Sequence, residues 1–152
     1  MWRRPAVTLA AMAALALGTV AVSSPAVLTT LSTQAASELR FVHDPAHEGY
    51  ETVVTVGDPS KAGVYAVQTR LPANTSILPH THGEKWRIGT VLSGTLHYAQ
   101  GATFDESKLK SLPPGSMIIE PQGVPHFART GSEPVLLNIV GEGPASTVPF
   151  RK

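Results

Sequence analysis

His80 and His82 stand one residue apart in "LPHTHGEKWR", and His126 follows roughly forty residues later in "EPQGVPHFART". On an extended strand residues i and i+2 point to one face, so the first two imidazoles aim into a common volume while Thr81 turns away. A third imidazole delivered by a separate hairpin completes what a divalent transition metal needs. Imidazole suits iron, copper, nickel and zinc, and three protein donors leave an exchangeable position for chemistry. The chain has no cysteine, which excludes thiolate metal sites, redox pairs, cysteine nucleophiles and disulfides.

The remaining candidates are weaker. His43 and His47 are four apart, but Pro45 between them argues for a turn rather than a helix face, so they read as exposed loop histidines. Glu84 shares the strand parity of His82 across Gly83, and Glu120 immediately precedes a Pro-Gln-Gly turn; each is a carboxylate within reach of a metal. His97 in "TLHYAQ" is a candidate donor or general base, and Asn138 a candidate amide lining a pocket. Asp105 and Glu106 are a neighbouring carboxylate pair in a loop, with no geometry for acid–base work. "GEGPAS" lacks the third glycine and following helix of a phosphate cradle, and "VLSGT" is no nucleophile elbow.

The elements that must hold these residues are strands. "GVYAVQTRLP" alternates, with Tyr65, Val67, Thr69 and Leu71 on one face. "WRIGTVLSGTLHYAQ" is two β-prone runs around a Ser93-Gly94 turn, and "SMIIEP", "VPHFART" and "PVLLNIVGEG" continue the habit. Short runs of period two between turn signals predict an all-β sandwich or barrel. The exception is "TFDESKLKSLPP", where Asp105 is placed to cap a single helical turn ended by Pro113 and Pro114.

Ahead of this domain, Arg3 and Arg4 precede the uncharged apolar run "AVTLAAMAALALGTVAV", and the first acidic residue is Glu38. Residues 1–36 are read as a secretory signal peptide cleaved near Ala36, which predicts a secreted or periplasmic protein. Its removal takes two of the twelve basic residues and none of the eleven acidic ones, leaving a charge of about −1 with histidines neutral. No basic stripe remains for nucleic acid, and nothing is left to hold a membrane. Residues 37–62 are read as an arm leading into one barrel domain, residues 63–152.

Taken together, the two histidine motifs resemble those of the cupin superfamily. The pattern G(X)5HXH(X)3–4E(X)6G is met at His80, His82 and Gly94, with Asn74 in place of the first glycine. The pattern G(X)5PXG(X)2H(X)3N is met at Gly115, Pro121, Gly123 and His126, with Thr130 in place of the asparagine. The resemblance spans about residues 63–143 and implies a cupin-type double-stranded β-helix, a jelly-roll barrel with a metal at its centre. It also exposes a departure: the glutamate that supplies a fourth ligand in germin-like cupins falls at Arg87, and a guanidinium cannot ligate a metal.

The expected centre is therefore His80, His82 and His126 around a divalent transition metal, iron first, with manganese, nickel, copper or zinc as alternatives. If Arg87 faces inward it repels the dication unless an anion intervenes, and an acidic group of a small ligand is the expected anion. Three functions compete: an oxygenase-type enzyme acting on a small organic anion, a non-enzymatic binding barrel, and a structural metal site. The expected partner is a small molecule, with a homodimer made reasonable by an exposed sheet edge.

Overall fold

The computed structural model describes residues 31–150. Most of the predicted signal segment, residues 1–30, lies outside the described residues. Eleven strands follow: β1 (Val42–His43), β2 (Glu51–Val56), β3 (Gly63–Leu71), β4 (Ser76–His82), β5 (Trp86–Ser93), β6 (Leu96–Gln100), β7 (Lys110–Leu112), β8 (Met117–Pro121), β9 (His126–Thr130), β10 (Val135–Gly143) and β11 (Thr147–Pro149). All pairings are antiparallel. They build a six-stranded sheet in the order β1-β2-β3-β10-β5-β8 and a five-stranded sheet in the order β11-β4-β9-β6-β7.

The pairing has a simple generator. β6 pairs with β7, β5 with β8, β4 with β9 and β3 with β10. One long hairpin has been rolled up so that its successive pairs alternate between two sheets, which is the jelly-roll form of the double-stranded β-helix. This roll brings residues far apart in sequence into register: His80 lies opposite His126 in one sheet, and Arg87 opposite Glu120 in the other. Residues 42–56, read from the sequence as part of an arm, add β1 and β2 to the edge of the six-stranded sheet.

Alternation decides which side chains meet between the sheets. Along β10, Val135, Leu137 and Ile139 are buried while Leu136, Asn138 and Val140 are only partly covered. They join Tyr65, Leu71, Val91, Leu96, Ile118 and Ala128 in one apolar core. The Asp105 turn forms as expected: its side chain accepts from the Ser107 N–H at 3.0 Å and caps a short 3-10 turn, Glu106–Lys108.

Two of the three departures from the motif patterns, Asn74 and Thr130, have a physical reading in the backbone. Asn74 adopts a left-handed φ of 54°, a conformation that asparagine tolerates better than other side chains, so it fills the glycine's role. Thr130 is wholly buried; its Oγ1 donates to the Pro72 carbonyl at 2.7 Å and accepts from the Thr75 N–H at 2.9 Å, tying β9 to the turn before β4.

Candidate metal centre

His80 and His82 leave one face of β4, and His126 opens β9 beside them, after a turn in which Gly123 takes a φ of 72° that few other residues accept. Ring centroids are 4.3 Å apart for His80 and His126, 4.9 Å for His80 and His82, and 5.0 Å for His82 and His126. One ligating nitrogen from each falls within 4.8 Å of the others. The predicted trio thus meets in one volume.

Each ring is also oriented from behind. His80 Nδ1 donates to the Leu78 carbonyl at 2.8 Å, His126 Nδ1 to the Val124 carbonyl at 3.0 Å, and His82 Nδ1 to the Ser146 carbonyl at 3.2 Å. A carbonyl only accepts, so Nδ1 must carry the hydrogen and Nε2 must present a lone pair. The Nε2 atoms of His82 and His126 are buried without any hydrogen-bond partner. Buried nitrogens are rarely left so, and the donor set suits a divalent transition metal such as iron, copper, nickel or zinc.

Burial keeps these rings neutral. It is the main cause that lowers His80 to a pKa of about 4 and His82 to about 3, and the Arg87 charge lowers both further. Burial lowers His126 as well, against the pull of Glu120.

Arg87 faces the barrel, and the anion beside it belongs to the protein. Its Nε donates to Glu120 Oε2 across the β5–β8 pair, while Tyr98 OH donates to Glu120 Oε1 at 3.1 Å. The carboxylate is 7% exposed. Burial pushes its pKa up, but the charge and hydrogen bond of Arg87 work against that, and the net shift is downward. Gly141 lies between Arg87 and Tyr65 in the same sheet, and its missing side chain gives the Tyr65 ring room.

Glu84 is buried but not in the histidine cluster. It accepts from Tyr65 OH at 2.7 Å and from the Ser146 N–H at 3.2 Å. Since the Ser146 carbonyl receives His82 Nδ1, Glu84 holds the N–H side of the residue whose carbonyl orients a candidate ligand. Burial and these carboxylates push both phenols, Tyr65 and Tyr98, well up.

The other candidates lie elsewhere. His97 points away from the centre, its Nδ1 3.0 Å from Ser111 Oγ, beside a shallow surface groove with Glu106, Arg129 and Gly131. Asn138 pairs with Gln68 and Thr90 on the outer face. His43 is exposed on β1, and His47 pairs with Asp44 at 3.1 Å and stacks on Tyr50. Tyr98, stacked 5.4 Å from the His126 ring, is the contact that sequence reasoning missed. Strand parity alone made His97 or Tyr98 the inward residue, and only the register on β9 chooses.

Among curated proteins none matches the chain by sequence. Solved structures resemble it in fold. The polyketide cyclase RemF from Streptomyces resistomycificus aligns with a TM-score of 0.63 at 17% identity, over 81% of this chain and 87% of that one. The DMSP lyase DddQ from Ruegeria pomeroyi DSS-3 gives 0.58 at 17% identity, over 74% and 61%. A salicylate 1,2-dioxygenase from Pseudaminobacter salicylatoxidans gives 0.54 at 16% identity, over 68% and 31%. The sequence profile described as Cupin matches residues 47–145, which takes in both histidine motifs and every strand from β3 to β10. This chain therefore belongs to the cupin family.

Proposed function

We propose that the protein is an exported, metal-dependent cupin that acts on a small organic anion by oxygenase-type chemistry, with iron held by His80, His82 and His126. The observation that carries this reading is the set of three Nδ1–H to carbonyl bonds. They aim three Nε2 lone pairs into one volume and leave two of them buried without a partner. When bound, a redox-active dication would supply Lewis acidity and one-electron chemistry with O2.

The chain's own residues set what approaches. Neutral histidines do not offset a dication's charge, and Arg87 and Glu120 offset one another, so the centre stays positive and favours an anionic substrate. His80 is the least covered of the three rings, which makes its side the approach. Export is supported by Arg3 and Arg4 followed by the uncharged apolar run of residues 6–22.

A structural metal site is the second reading, favoured by the low exposure of His82 and His126, 4% and 3%. Oxygen consumption separates the two. Iron-reconstituted protein is expected to consume O2 with at least one of a panel of small carboxylic acids, and His82→Ala to abolish it. Metal binding that raises the melting temperature, with no uptake across the panel, would favour the structural site.

A further inference from the structure

Glu120 Oε1 lies 3.3 Å from His126 Nε2, and Oε2 lies 4.0 Å from His82 Nε2. In the neutral rings both nitrogens lack a hydrogen, since each ring spends its one N–H on a backbone carbonyl through Nδ1. An ionised carboxylate is acceptor-only as well, so these contacts set lone pair against lone pair in a buried site. Such an arrangement is unfavourable unless a cation lies between. The 3.3 Å contact to His126 matches two donors each about 2.1 Å from one tetrahedral ion, which stand about 3.4 Å apart, while the 4.0 Å contact to His82 is wider.

The geometry points to Glu120 as a fourth donor to the metal that the three histidines hold, a carboxylate delivered from β8. This rests on the three-histidine reading and deepens it. Each carboxylate oxygen has two acceptor sites. Oε1 uses one on Tyr98 OH and Oε2 one on Arg87 Nε, which leaves one on each for the ion. Arg87 and Tyr98 then act as the partners that hold a ligating carboxylate in place, as ligating carboxylates generally require.

The first sequence motif offers no donor at this level of the barrel, because Arg87 stands there and cannot ligate. The roll of the hairpin places Glu120 directly opposite it, so a donor missing from β5 is restored from its neighbour.

The test is Co2+ binding to the metal-free protein, followed by competition with a chelator and by the visible ligand-field bands. Parent, Glu120→Gln, Glu120→Asp and His126→Ala are compared. The aspartate variant keeps a charge for Arg87 and withdraws its oxygens by one methylene, which protects the fold. The proposal expects both Glu120 variants to weaken Co2+ binding by about 100-fold or more, beyond the roughly 10- to 100-fold typical of partners outside the ligand set, and to shift the bands. Folded Glu120 variants with parent affinity, or a modest loss with unchanged bands, would overturn it and leave the contact an ordinary ion pair. His126→Ala marks the other failure: if it binds Co2+ as the parent does, the three-histidine reading itself falls.

Discussion

His80 on β4 and His126 on β9 are register partners, with ring centroids 4.3 Å apart. Forty-odd residues separate them in sequence, and only the rolled hairpin closes that distance. Burying these rings as neutral groups has a pH consequence. Burial above all holds His80 at about 4 and His82 at about 3, whereas an unfolded chain returns both to about 6.5. A folded pKa below the unfolded one means that the unfolded chain binds protons first as pH falls. Stability is therefore full above about pH 6.5 and is lost as pH drops toward 4 and then 3. Thermal melts of the metal-free protein should show this loss, at up to about 1.4 kcal/mol per pH unit for each histidine. His82→Asn should flatten the profile; an unchanged slope in that variant would assign the loss to other groups.

Glu84 predicts a linked loss of stability and metal affinity. Glu84→Ala leaves Tyr65 OH and the Ser146 N–H without their buried acceptor, at a cost of about 2–4 kcal/mol. It also loosens the Ser146 carbonyl that orients His82, so Co2+ affinity should drop about 10-fold or more. Glu84→Gln keeps an acceptor oxygen and should recover most of both. A melting shift without any change in affinity would show that the Ser146 peptide holds His82 unaided.

Gly141 predicts a steric effect on the same network. A Cβ there would stand 2.8 Å from Tyr65 OH and 2.9 Å from Cζ. Gly141→Ala should push the ring off Glu84 and destabilise the protein by about 1–3 kcal/mol in denaturant titration. Pairing it with Tyr65→Phe should give less than the sum, because the two changes act on one contact.

Much of this was legible in residue types and spacing. The strand parity of His80 and His82, the turn before His126 and the alternation of β3 and β10 all predict what the structure contains. What the sequence withheld is register between distant strands. Arg87 read as a charge seeking an external anion because nothing local reveals that β8 lies beside β5 and sets Glu120 opposite it. Tyr98 stayed hidden for the same reason, and Glu84, read as a carboxylate within reach of the metal, turns to Tyr65 and Ser146 instead because β4 ends at His82 and the bend beyond it breaks the two-residue period. Asn74 shows the opposite case: a break in the motif that its left-handed backbone explains.

The central claim is that three histidines from two distant motifs hold one transition metal. Elemental analysis of the full chain purified without chelator, beside His126→Ala, tests it most directly. The account predicts near-stoichiometric iron, or failing that manganese, nickel, copper or zinc, in the parent and its loss in the variant. Folded parent protein without metal, and unable to take up any of these ions on addition, would contradict it.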